Sequence, residues 1–182
     1  MNADLFTYQK IGLMVHYVML ANADFTVWKT LPLDVRSERV KLATELVYVI
    51  YGIDFIPEVV IEDSAQGLWG GCCAMGGKII KYKTNEISDY GYTHEVICHE
   101  TRHAFQHFAI MNYEKSYKDE YGITEAMVKE WAENQQFYSD LVSLKGVDFG
   151  KYKHQVVEAD ANAFATDCKK AVENCLYIIS ED

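Results

Sequence analysis

The stretch HEVICHETRHAFQH, residues 94–107, decides how the rest of the chain is interpreted. It contains four of the six histidines of the chain, together with two glutamates. Apolar residues such as Val96, Ile97 and Phe105 recur between them, which indicates a helix that is largely buried. Buried polar side chains need partners, and a metal ion is one partner that histidines and a glutamate could share.

Residues 99–103 of this stretch read His-Glu-x-x-His. Side chains four apart on a helix lie about 40° apart around its axis and about 6 Å apart along it. His99 and His103 can therefore converge on one Zn²⁺, and Glu100 is placed to take a proton from a bound water. The competing interpretation is a polar helix face without metal, whose histidines are satisfied by water or by neighbouring carboxylates.

The remaining histidines are expected to lie outside such a site. His107 is eight residues from His99, a rise of about 12 Å, so both cannot bind one ion. We expect His107 at the surface or beside the ligands. We expect His94, in the first helical turn, to be exposed, and His16 to lie on a face of the N-terminal helix.

The third metal ligand is expected from the last predicted helix, which includes residues 154–167. Glu158 is the best candidate, because small residues follow it on the same helical stripe and let two helices approach closely. That stripe comprises Glu158, Ala161, Asn162 and Ala165. Asn162 could accept a hydrogen bond from a ligating histidine. Asp160 is the rival ligand, but it points about 200° away from Glu158 around the helix.

The order of predicted elements indicates an α+β fold with a small sheet on one side. Helices are predicted at about 3–22, 34–51, 94–112, 124–139 and 151–176, and strands at 58–63 and 78–83. The glycine-rich segment 64–77 is predicted to be a loop or tight hairpin. Thr93 is the predicted N-cap of the histidine-rich helix. Three lysines in KIIKYK, residues 78–83, favour a strand at the edge of the sheet.

Composition excludes several classes of partner. The chain has 182 residues, 49% of them hydrophobic, and a formal net charge of −10. These values predict one folded domain that binds neither nucleic acid nor an anionic membrane surface. The odd number of cysteines, five, favours reduced thiols and a cytoplasmic location. The apolar run 11–20, followed by Ala-Asn-Ala, keeps secretion open as the alternative.

Two blocks together resemble the ImmA/IrrE-type zinc metallopeptidases, within the wider zincin or gluzincin-like group. They are His99-Glu100-Thr101-Arg102-His103 and Glu158-Ala159-Asp160-Ala161-Asn162-Ala163-Phe164-Ala165. The resemblance covers roughly residues 58–168. Arg102 stands where that family commonly has glycine, and the N-terminal 55 residues carry nothing assignable to it, so the chain resembles a divergent member.

The resemblance implies a single zincin-like metallopeptidase domain over 1–182, with residues 1–55 as a helical extension packed on it. It implies a small, mostly antiparallel sheet on the active-site helix, with KIIKYK as the edge strand along which an extended peptide lies. It also implies zinc on His99, His103 and Glu158, with Glu100 as the general base. Tyr113, Tyr152 and His154 are the candidates for stabilising the oxyanion.

A second class of function stays open at this point. A zincin fold could keep its metal without catalysis and act by docking a protein partner. A peptide or protein is thus the expected partner under either hypothesis, and the oligomeric state is not predicted.

Overall fold

A computed structural model describes residues 3–20, 25–63, 71–112, 123–142 and 155–180. This part of the chain forms six α-helices and one three-stranded sheet. The helices are α1 (Ala3–Leu20), α2 (Phe25–Trp28), α3 (Leu33–Tyr51), α4 (Tyr90–Asn112), α5 (Glu125–Val142) and α6 (Val156–Ser180). The strands are β1 (Glu58–Glu62), β2 (Gly71–Ala74) and β3 (Ile79–Lys83). The predicted α+β class is confirmed.

Helix α3 shows how closely local sequence sets some boundaries. It begins after Pro32 and ends at Gly52, whose φ of 67° and ψ of 23° put it in the left-handed region. Glycine adopts this conformation without a steric penalty, so it can end a helix while its N–H bonds back to the last turn. The N–H of Gly52 donates in this way to the carbonyls of Tyr48 and Val49.

The order of the strands differs from the prediction. The sheet runs β1-β3-β2, so the lysine-bearing strand β3 lies in the middle and not at an edge. β3 pairs with β1 in parallel and with β2 antiparallel. The sheet is therefore mixed rather than mostly antiparallel. Ile80 and Tyr82 of β3 are buried, as alternation predicts, while the lysines lie at the other face, where Lys81 meets Glu62 of β1 at 3.2 Å.

Strand β2 lies inside the segment that was predicted to be a loop or tight hairpin, and together with β3 it forms such a hairpin. Residues Gly71–Ala74 pair with β3, and the chain returns through a short 3-10 turn at Met75–Gly77. Gly76 and Gly77 have φ values of 66° and 85°, which explains the paired glycines at this turn. Residues 64–70 lie outside the described part of the chain.

Helix α4 begins earlier than predicted, and Thr93 is not its N-cap. The Tyr92 main-chain N–H donates to Oδ1 of Asp89 at 3.0 Å, so Asp89 satisfies one of the free N–H groups of the first turn. The Thr93 hydroxyl donates instead to the main-chain oxygen of Asp89 at 2.5 Å. An aspartate just before the helix was the better capping signal.

Helices α1, α3, α4 and α6 contribute to one hydrophobic cluster, which includes Ile11, Val47, Phe105 and Phe164. Helix α1 approaches α6 closely at Gly12, where an added Cβ would lie 2.5 Å from the main-chain oxygen of Cys168. The N-terminal helices thus share the core of the metal-ligand helices. Among the described residues, none of the helices combines the length and apolar character that crossing a membrane requires.

The prediction that His94 is exposed is wrong. His94 is only 2% exposed, and its Nε2–H donates to the main-chain oxygen of Gly12 at 2.9 Å. This contact ties α4 to α1. Burial lowers the pKa of His94 from 6.5 to about 4, because a charged imidazole would lose its hydration there.

His94 should make the stability of the protein sensitive to mild acid. Between pH 6.5 and about 4 the unfolded chain takes up a proton on His94 that the folded chain does not. The free energy of unfolding should therefore fall as the pH drops through this window, by about 3 kcal/mol from this residue. Urea unfolding of the wild type and of His94→Gln, which cannot titrate, measures this term. The same pH dependence in both proteins would contradict the assignment.

Candidate metal centre

Three side chains from two helices converge at one point. His99 and His103 of α4 lie one turn apart, and their Nε2 atoms are 3.0 Å from each other. The two carboxylate oxygens of Glu158, on α6, lie 3.5 Å from the Nε2 of His99 and 3.3 Å from the Nε2 of His103. Each of the three residues offers one ligand atom, and these atoms all lie within 4.8 Å of one another.

These separations fit a small divalent ion. Two ligands bound at about 2.0–2.1 Å with tetrahedral angles stand about 3.3 Å apart. The three separations, 3.0, 3.5 and 3.3 Å, lie on both sides of that value, and the last two are to different oxygens of Glu158. The rings of His99 and His103 are nearly perpendicular, at 85°, so each presents an edge nitrogen to the shared point. The three residues could hold a metal.

The hydrogen bonds of Gln106 orient His103 for this role. The Nε2 amide group of Gln106 donates to the main-chain oxygen of Val157 at 2.9 Å and to Oδ2 of Asp160 at 2.7 Å. Its Oε1 is then the atom that faces His103, and it accepts from Nδ1–H at 2.9 Å. Because Nδ1 carries the proton, a neutral His103 has its lone pair on Nε2, the atom directed at the centre.

The electrostatics of the cluster favour positive charge. Burial lowers the pKa of His103, but the hydrogen bond and the attraction from Glu158 outweigh it and raise the pKa to about 9. Glu158 is itself only 4% exposed. A buried carboxylate needs a compensating positive partner. Either a proton on an imidazole or a divalent cation can supply this positive charge. A cation can also bind the lone pairs of both histidines.

Glu100 lies beside the three ligands without being one of them. It is 4% exposed, and burial raises the pKa of its carboxyl, while attraction to His99 and His103 opposes that rise. The main chain of Cys73, in β2, provides a hydrogen bond to it. The carboxyl is thus held between the ligand helix and the edge of the sheet, where a proton can be taken up and returned.

Two glycines let the sheet approach the ligand helix. A Cβ at position 71 would come within 2.7 Å of Oε1 of Glu100, and one at position 77 would come within 3.0 Å of the Cβ of Ala104. Real Cβ atoms avoid contacts of 2.7 Å, so a side chain at position 71 would displace the Glu100 carboxylate. The glycine-rich segment therefore does more than turn the chain, because it allows β2 to lie against α4 at the site.

The described residues bring together the central part of the predicted site. His99, His103 and Glu158 converge as predicted, and Glu100 lies next to them. Asp160, the rival ligand, turns away and pairs with Arg102. His107 is half-buried and is not part of the three-residue group. Tyr113, Tyr152 and His154, the oxyanion candidates, lie outside the described residues.

The prediction for Asn162 is wrong, because this residue is exposed on the surface of α6. Gln106 performs the function that was expected of it, by accepting from Nδ1–H of His103. Gln106 follows His103 by three positions on the same helix, and that spacing was a signal available in the sequence. The prediction failed because the rotation of α6 about its own axis depends on packing that the stripe of alanines does not specify.

Comparison of the chain with protein-family models, with curated proteins and with solved structures finds no match in any of the three. The case for a metal centre therefore rests on the geometry of the chain itself.

Zinc binding should depend on His99 and not on His107. Removing His99 leaves two of three ligands, so His99→Ala should lose more affinity than the about 10–100-fold that supporting residues cost. His107→Ala is the matched control, because it removes another half-buried histidine from the same helix. Zinc content after dialysis and competition with a chromophoric chelator measure both. A full zinc equivalent retained by His99→Ala would refute the ligand assignment.

Proposed function

We propose that the protein is a zinc-dependent peptidase that hydrolyses peptide bonds with Glu100 as general base. The observation that carries the proposal is the convergence of His99, His103 and Glu158 with Glu100 directly beside them. A structural site would need only the ligands. A buried carboxyl next to the ligands, which is not a ligand itself, is the additional group that hydrolysis requires.

The donor set favours zinc. Two imidazole nitrogens and one carboxylate are ligands that zinc accepts readily, and three protein ligands rather than four are typical of catalytic zinc sites. The chemistry that the ion supplies when bound is Lewis-acid polarisation of water and of a substrate carbonyl.

Glu100 performs the proton transfers in this proposal. Its carboxylate takes a proton from the water whose oxygen attacks the carbonyl carbon of the peptide. It then returns this proton to the amide nitrogen as the bond between carbon and nitrogen breaks, and an amine and a carboxylic acid leave. Burial of the carboxyl suits the first step, because a carboxyl removed from water accepts a proton more readily than an exposed one.

The substrate is proposed to lie along β2. This strand, rather than the central β3, is at the edge of the sheet next to Glu100. A strand at an edge has main-chain N–H and C=O groups on one side that are not used by its neighbour, and an extended peptide can pair with them. Gly71 adds no side chain there, so the approach between β2 and the ligand helix stays close.

Glu100→Gln should keep zinc and lose turnover. The amide has nearly the same shape but cannot take a proton, and loss of a general base costs about 10²–10⁴-fold in rate. Glu95→Gln is the matched control, because Glu95 is on the same helix and pairs with Lys169 at the surface. The assay is cleavage of a mixed pool of extended peptides by the zinc-loaded proteins, with products identified by mass spectrometry.

Three results are informative. Loss of cleavage in Glu100→Gln, with zinc content equal to that of the wild type, supports the proposal. Equal cleavage by Glu100→Gln and the wild type would rule out Glu100 as the base. A zinc-loaded wild type that cleaves no peptide would favour the alternative, a metal-binding protein that acts by docking a partner.

A further inference from the structure

A buried arginine, Arg102, lies in the same turn of α4 as the two histidines, between His99 and His103 in the sequence. Arg102 is 1% exposed, and its guanidinium lies 4.7 Å from the ring centre of Phe164 and 5.4 Å from those of Phe105 and Trp131. A cation removed from water at this depth is costly unless it is paired. Its presence between the two ligand-bearing helices therefore requires an explanation.

Asp160 of α6 provides the pairing. Arg102 donates from Nε to Oδ2 at 2.8 Å and from Nη2 to Oδ1 at 3.0 Å. This two-bond geometry fixes the plane of the carboxylate as well as its distance. Asp160 follows Glu158 by two positions, so the ion pair also holds the segment of α6 that carries the third ligand.

The same carboxylate oxygen that meets Arg102 Nε also accepts from Gln106. The Oδ2 of Asp160 lies 2.7 Å from Nε2 of Gln106, whose Oε1 accepts from Nδ1 of His103. The two charged members of this series, Arg102 and Asp160, can each act in one direction only. A guanidinium only donates, and an ionised carboxylate only accepts, so the amide must turn its NH₂ group to Asp160 and its oxygen to His103.

We infer that Arg102, Asp160 and Gln106, here called the Arg102 network, set the tautomer of His103 and pre-assemble the metal site. Arg102 can only donate hydrogen bonds, so it holds the Asp160 carboxylate as an acceptor. Asp160 accepts from the Gln106 amide, and the oxygen of that amide accepts from the Nδ1–H of His103. The inference rests on the proposed zinc centre and adds positioning residues to it. It gives the arginine a role at a position where the resembling family commonly has glycine.

Gln106 also couples the two helices at the ligands themselves. One hydrogen of its amide goes to the main-chain oxygen of Val157, the residue immediately before Glu158. A single side chain therefore orients His103 on α4 and anchors the main chain next to Glu158 on α6. Losing it should disturb two of the three ligands at once, beyond any general loss of packing.

The test compares zinc affinity with folding stability in matched variants. Gln106→Met removes the central link with little change in volume and leaves the Arg102–Asp160 pair intact. Asp160→Asn removes the charge that fixes the direction of the amide. Phe164→Leu disturbs packing around the same guanidinium without breaking a hydrogen bond of the network. Asp167→Asn makes the same chemical change as Asp160→Asn on the same helix, at a half-exposed side chain that meets Lys170.

Zinc dissociation constants come from competition with a chromophoric chelator, and stability from urea unfolding in the presence of EDTA. Gln106→Met and Asp160→Asn should each weaken zinc binding about 10–100-fold. Phe164→Leu should lose stability while its zinc affinity stays within about threefold of the wild type, and Asp167→Asn should change neither. Gln106→Met is the variant to use if Asp160→Asn, in which Arg102 loses its carboxylate partner, does not fold.

Several results would overturn the inference. Wild-type affinity in Gln106→Met would show that the amide does not position His103. Weaker zinc binding by Gln106→Met but not by a folded Asp160→Asn would show that Asp160 and Arg102 take no part in positioning His103. Affinity losses that follow stability losses equally in all variants, Phe164→Leu included, would reduce the network to packing. A wild type that binds no zinc would overturn the proposed peptidase as well, whereas absent cleavage with these affinity changes would overturn the peptidase alone.

Discussion

The contact between α4 and α6 is the constraint on which the candidate site depends. One helical turn can supply His99 and His103 and place Glu100 beside them, but it cannot supply a third ligand. Glu158 reaches the two imidazoles because α6 packs against α4 at this level, and the small residues Ala161 and Ala165 of α6 are buried. Small side chains permit the approach, and the ion pair of the buried Arg102 with the partly buried Asp160 favours one register.

The organisation of the fold follows from the need to support this contact. Helix α1 packs against α6 at Gly12 and against α4 through His94, so the N-terminal segment braces both ligand helices from one side. The sheet approaches from another side, and Gly71 and Gly77 let it lie directly on α4. Glu100 is thereby shielded from bulk water while the neighbouring imidazoles stay about one-sixth exposed, at 17% and 14% of their side-chain surface.

Features that depend on short-range geometry could be predicted from the sequence. The convergence of His99 and His103 follows from the helical period, and the end of α3 follows from Gly52. The assignment of Glu158 needed one tertiary assumption, close packing of two helices, for which the alanines gave a signal. The α+β class followed from the order of the elements.

Features that depend on distant contacts could not be predicted in the same way. His94 is buried, and Gly12, far away in the sequence, accepts its hydrogen bond. The lysines of β3 indicated an edge strand, yet β1 and β2 pair on both sides of it, because strand order is set by tertiary packing and the lysines can project from one face. Gln106 was overlooked in favour of Asn162 because the rotation of α6 depends on tertiary contacts, such as the pair of Arg102 and Asp160, that the stripe of alanines does not specify.

The central claim is that His99, His103 and Glu158 bind one divalent ion. Anomalous diffraction at the zinc absorption edge, from crystals grown with zinc, tests it most directly. The account predicts one strong anomalous peak per chain, between the two Nε2 atoms and the Glu158 carboxylate, at about 2.0–2.2 Å from each ligand atom. Well-ordered crystals that hold zinc elsewhere on the chain, with the two imidazoles bonded only to Glu158, would contradict it.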